Sequence, residues 1–110
     1  MDFDEMRARA RSVREQYAAM ETARYGRAWS REEIMLGFLG DVGDLAKLVQ
    51  GKEGVRPRDD LDEALAHELA DCLWCVMTLA DAYEVDLGTA FASTMDDLDH
   101  LLRGDGSQPE

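Results

Sequence analysis

Ile34-Met35-Leu36-Gly37-Phe38-Leu39-Gly40-Asp41-Val42-Gly43-Asp44-Leu45 is an apolar run carrying two acids, and Leu65-Ala66-His67-Glu68-Leu69-Ala70-Asp71-Cys72-Leu73-Trp74 repeats the arrangement. In each run the acids stand three residues apart, so on a helix both carboxylates leave from one face. Taking an ionised carboxylate out of water is strongly unfavourable unless its charge is offset. Four carboxylates aimed at one spot call for a cation, and hard divalent ions take oxygen ligands. The alternative is an ion pair between helices, with Lys47 as an example of the basic partner. Asp62/Glu63, Asp81/Glu84 and Asp96/Asp99 are acid pairs without such apolar flanks, and they read as solvated faces.

Helical periodicity extends outward from these runs. The apolar positions Phe3, Met6, Ala10, Val13, Tyr17 and Met20 predict an amphipathic helix over 3–25, with Gly26 as its stop. Ser30 and Glu33 form a capping-box pattern for a second helix over 31–50, ended by Gly51. This helix is apolar almost all round, which predicts a place at the centre of a bundle. Its glycines, Gly37, Gly40 and Gly43, each cost about 1 kcal/mol against alanine. They therefore keep space, either for close helix packing or for a ligand. A basic, glycine-bearing loop covers 51–58. Asp60, with Glu63 three residues on, is the N-cap candidate of a third helix reaching Tyr83. Asp86 caps a fourth over 87–103, stopped by Gly104. The fold class is all-α: a four-helix bundle protomer in one domain, residues 1–104, with a disordered tail over 105–110.

Composition sets further bounds. The chain has 110 residues, 12 Lys and Arg, 24 Asp and Glu, and a formal net charge of −12. Binding to DNA or RNA rests on cations neutralising phosphates, so a nucleic acid polymer is excluded as partner. A single small nucleotide held through a metal is not. No apolar run reaches membrane-spanning length, and residues 1–5 lack a basic-then-apolar signal pattern, so no membrane partner and a cytoplasmic location are expected. Cys72 and Cys75 fall in mid-helix with no strand nearby, which favours core packing over redox or zinc chemistry.

Gly40-Asp41-Val42-Gly43-Asp44-Leu45-Ala46, followed by His67-Glu68-Leu69-Ala70-Asp71-Cys72-Leu73, resembles the MazG-like all-α nucleoside triphosphate pyrophosphatases. That family carries Glu-x-x-Glu on one helix and Glu-x-x-Asp on the next. The likeness runs from about Ala23 to Met95, includes the helix joint Leu79–Leu87, and is nearest to the dCTP-pyrophosphatase branch. It implies that Asp41, Asp44, Glu68 and Asp71 hold Mg²⁺, or Mn²⁺ in its place. It also implies a nucleoside triphosphate substrate, cleaved by water to the monophosphate and pyrophosphate in nucleotide-pool house-cleaning. Lys52 would reach the polyphosphate and Tyr25 and Trp29 would stack the base. No residue is assigned as general base. Subunits of the family associate, so a homodimer or homotetramer is expected.

The chain departs from the family pattern at defined places. Asp41 and Asp44 are each one methylene shorter than glutamate. Thr94 and Leu98 stand where a lysine and an asparagine ordinarily grip phosphate and sugar. Gly51 replaces a tryptophan. These departures keep two alternatives open, a non-catalytic relative that binds metal or nucleotide and a plain helical oligomerisation module.

Overall fold

The computed structural model describes residues 1–104, so the expected tail over 105–110 lies outside the described residues. The four expected helices form: α1 (Phe3–Tyr25), α2 (Arg31–Lys52), α3 (Leu61–Ala82) and α4 (Leu87–Leu102), with no strand among the described residues. The protein is all-α, as expected for a four-helix bundle protomer.

Local chemistry sets most of the ends. Asp2 accepts from the Glu5 amide at 2.8 Å and forms a full capping box at the start of α1. Gly26 closes that helix in the left-handed region at φ 86°, its amide donating to the Thr22 carbonyl at 3.0 Å. Ser30 and Glu33 form the expected box at α2, with the Glu33 amide donating to Ser30 Oγ at 3.2 Å and the Ser30 amide to Glu33 Oε1 at 3.0 Å. Arg27 also grips Glu33, and these contacts pull its carboxyl down to about 2, the Arg27 hydrogen bond contributing most. At α4, Asp86 accepts from the Thr89 amide at 3.2 Å.

Two expected signals differ. Gly51 does not end α2, which runs on to Lys52; Gly51 is buried inside it. A Cβ built there would lie 2.7 Å from the Arg56 carbonyl oxygen and 2.5 Å from Leu61 Cδ2. The glycine lets the following connection fold back over the helix end. A tryptophan at this place would have no room. Asp60 makes no side-chain cap on α3, because its carboxylate is taken by Arg58.

The main packing contact joins α2 to α3, with α1 lying against α3 more lightly. Trp74 Nε1 donates to the Ala10 carbonyl at 3.1 Å, and the Tyr17 ring stands 5.7 Å from the Trp74 ring. Arg11 Nε meets Asp81 at 3.1 Å, so Asp81 bridges two helices instead of lying on a merely solvated face. Glu21, only 3 % exposed, accepts from the Trp29 amide at 2.8 Å and from Arg14 at 3.2 Å, fixing the α1–α2 connection. The central helix is therefore α3. The expectation that α2 holds the centre is corrected: its apolar residues surround the axis, but only one face meets α3. Leu36, Leu39, Val42 and Val49 remain exposed. No α4 residue is buried, although its first turn lies close to the Phe3 ring at Gly88.

The surface is large for the mass. The chain exposes 8163 Å², against about 6,100 Å² for a compact monomer of this size. The radius of gyration is 17.3 Å, against about 13 Å. No helix among the described residues is long and apolar enough to cross a membrane.

Alanine substitutions separate the glycines. A Cβ at Gly37, Gly40 or Gly43 meets nothing within 4 Å. In the isolated protomer Gly40→Ala should therefore stabilise by up to about 1 kcal/mol through helix propensity. Gly51→Ala should destabilise by about 1–3 kcal/mol through overpacking. Urea unfolding of the two variants measures both, and an equal response would contradict this assignment.

Candidate metal centre and adjoining cleft

The expected acids converge at the α2–α3 contact. Asp41 and Asp44 of α2 and Glu68 of α3 bring carboxylate oxygens within 4.8 Å of one another. Glu68, His67 and Asp71 form a second such group, so the four expected ligands are joined as two overlapping triads that share Glu68. His67 Nε2 lies 3.1 Å from Asp71 Oδ2. His67 was not among the expected site residues, although its i, i+4 spacing to Asp71 is a readable signal.

Glu68 is 9 % exposed and has neither a hydrogen-bond partner nor a cation within 4.0 Å among the described residues. Burial raises its carboxyl pKa above the ordinary value, and the charges of Asp41, Asp71 and Asp44 raise it further. The rival explanation, a balancing ion pair, finds no support: Lys47 pairs with no acid among the described residues. An all-oxygen donor set around a mostly buried glutamate with no counter-charge is the chemistry that a hard divalent cation fits.

Cys75 is the contact missed from sequence. Its thiol donates to Asp41 Oδ2 at 3.5 Å. Burial and then Asp41 push this thiol up to about 12, so it remains a protonated donor. Burial raises Cys72 as well, and both cysteines are free, in line with a packing role. The signal was helical spacing, since Cys75 lies one turn beyond Asp71 on the same side of α3.

Asp41, Asp71 and Cys75 edge a cleft of about 710 Å³ with Tyr17, Tyr25, Trp29 and Trp74 on its walls. Tyr25 and Trp29 were expected there. Tyr17 belongs to the apolar stripe of α1, yet it is 48 % exposed and faces the cleft. Lys52 does not line it: its ammonium is paired with Asp62 at the α2–α3 turn. Eight residues of helix carry Lys52 about 12 Å along the axis from Asp44. Thr94 and Leu98, on α4, do not line the cleft either.

A sequence relative bears on this geometry. The chain is 33 % identical to the Gene 37 protein of Mycobacterium phage L5, over a match spanning 67 % of this chain and 73 % of the relative. The chain belongs to that protein's family. No protein-family model matches the chain, and no solved structure matches it.

The Glu68 environment sets a pH dependence. With the folded-state pKa raised, the native state holds its proton more tightly than the unfolded state. The stability that this provides is complete below the ordinary carboxyl pKa and is lost as pH rises through the raised value. In EDTA, Glu68→Gln should therefore be more stable than the parent at neutral pH, with the difference shrinking toward pH 4. Thermal melts across that range test it, and a destabilised variant at pH 7 would be the contrary result.

Proposed function

We propose that this protein is a Mg²⁺-dependent nucleoside triphosphate pyrophosphohydrolase of the MazG-like type, acting in nucleotide-pool house-cleaning. One observation carries the reading: Glu68, mostly buried and without a counter-charge among the described residues, faces Asp41 and Asp44 beside an aromatic-walled cleft. The acids suit a metal–polyphosphate, and the rings of Tyr17, Tyr25, Trp29 and Trp74 suit a flat base. The resemblance of the two acidic motifs to that family points the same way.

Asp41, Asp44, Glu68 and Asp71 would hold the ion, with Asp71 turning from His67 to join the other three. A bound Mg²⁺ supplies Lewis-acid charge to phosphate oxygens and lowers the pKa of a coordinated water. Cys75 holds the Asp41 carboxylate in place, and the cleft shields the base from solvent. Nucleoside triphosphates are cytoplasmic metabolites, and the proposal places the protein there.

The open protomer supports self-association. Its surface exceeds that of a compact monomer by about 2,000 Å², the scale that a stable protein interface buries. Leu36, Leu39 and Val42 of α2 and Leu69 and Leu73 of α3 are exposed apolar residues. We infer a homodimer or homotetramer formed through helices. Light scattering after gel filtration should give at least twice 12.3 kDa, and Leu36→Glu with Leu39→Glu should lower it. A monomer at micromolar concentration would count against association.

A second reading has its own support. Thr94 and Leu98 replace the phosphate and sugar grips, and Lys52 is tied to Asp62. Together these favour a relative that binds metal or nucleotide without turnover. A panel of ribo- and deoxynucleoside triphosphates, assayed for pyrophosphate with Mg²⁺ or Mn²⁺, decides between them. Turnover should occur with at least one substrate, and Asp71→Asn should lower it by about two orders of magnitude or more. A Mg²⁺-dependent rise in melting temperature that Asp71→Asn removes, with no pyrophosphate from any substrate, selects the binding protein. No effect of metal on either readout leaves a plain helical oligomer.

A further inference from the structure

Four of the chain's twelve basic residues converge on one small cavity, well apart in character from the acidic centre. Arg7, Arg11 and Arg14 stand at positions i, i+4 and i+7 of α1, on one helix face. Arg31 enters from the first turn of α2. With Thr78 and Asp81 of α3 they line a cavity of about 150 Å³, floored by Ile34 and Met77. At about 30 Å³ per water, that is room for about five water-sized atoms, the heavy-atom count of a phosphate ion.

The four guanidinium groups are not equally committed. Arg14 is taken up by Glu21 and by the Trp29 carbonyl at 2.9 Å. Arg11 is held by both oxygens of Asp81. Arg7 has one ion pair among the described residues, with the exposed Asp4 at 3.5 Å, and its charge also acts on Asp81 and Asp86. Arg31 lies 4.8 Å over the Tyr83 ring and has no carboxylate partner among the described residues. Two cations therefore remain available at the cavity.

Thr78 supplies an independent observation. It is 6 % exposed, and its Oγ1 is buried without any hydrogen-bond partner among the described residues. Buried hydroxyls are ordinarily satisfied, and a hydroxyl is a good donor to an anion. In a chain of net charge −12, an anion would come here only if this local environment drew it. Asp81 lines the same cavity, and Glu84 and Asp86 flank the groove next to it. Those charges oppose a long polyanion while leaving room for one compact group.

We propose that this cavity binds a single phosphate group through Arg31, Arg7 and the Thr78 hydroxyl, either as the free ion or as the head of a phosphate monoester. The inference does not depend on a metal at the acidic centre or on turnover there.

The full chain in EDTA, at constant ionic strength, is titrated with inorganic phosphate and separately with ribose 5-phosphate. Binding is followed by calorimetry and by the thermal shift. Saturable binding by at least one probe is expected. Arg31→Gln should weaken it about tenfold or more, the loss of a charge-assisted contact. Thr78→Val keeps the shape, removes only the hydroxyl and should weaken binding severalfold. Lys47→Gln, which removes a charge outside the cavity, should leave it unchanged. Equal affinity for the two probes identifies the free ion, and clear preference for the sugar phosphate identifies a monoester; either supports the site. No saturable binding by either probe, or binding that both Arg31→Gln and Thr78→Val leave intact, overturns it.

Discussion

Three carboxylates meet along the α2–α3 contact, and no cation among the described residues balances them. This constraint organises much of the molecule. The two helices must approach closely for the hairpin to pack, and the approach brings Glu68 out of water toward Asp41 and Asp44. Burial, and then repulsion from the neighbouring acids, raise the Glu68 pKa, so the protomer carries an electrostatic cost at its best-packed contact. Neighbouring groups act on the same centre. Cys75 donates to Asp41, and His67 lies beside Asp71. On the proposed function, a divalent ion would turn repulsion among the acids into shared coordination.

The second theme is incompleteness. Within one protomer α3 contacts both α1 and α2, while α4 buries no residue and the outer face of α2 remains apolar and exposed. Gly37, Gly40 and Gly43 lie on α2 with open space beside them. Close packing inside the protomer does not account for them. If a second copy covers α2, those glycines offer a smooth surface for backbone approach, and the cleft beside Asp41 and Asp71 would gain a further wall.

Charge is also distributed unevenly. The chain is strongly acidic, yet the α1 side gathers Arg7, Arg11 and Arg14 on one face, each engaged with a carboxylate of different strength. The pairs of Arg11 with Asp81 and Arg14 with Glu21 pin α1 to α3 and to the α1–α2 connection. The acidic centre and the arginine cavity share neighbours: Ile34, Arg14 and Trp29 line both the cleft and the cavity. Opposite electrostatic environments are thus separated by little more than the start of α2 and its preceding turn.

Much of this was legible in the residues. The 3–4 periodicity, the Ser30/Glu33 box, the Asp86 cap and Gly26 place the helices, because those signals act within a few residues of chain. The i, i+3 acids name the ligand candidates for the same reason: helical geometry alone puts each pair on one face. What lies between elements was not legible. Gly51 reads as a stop, but the Arg56 carbonyl and Leu61 fold over it and make it a buried point of close approach. The apolar girth of α2 suggests a central helix, yet α3 holds the centre because its Trp74 and Asp81 reach α1 while its other side meets α2. Lys52 reads as a phosphate grip and is drawn to Asp62. Helix identity and the acid pairs followed from local spacing, whereas the partner of each charged side chain was decided by long-range packing, which no local pattern encodes.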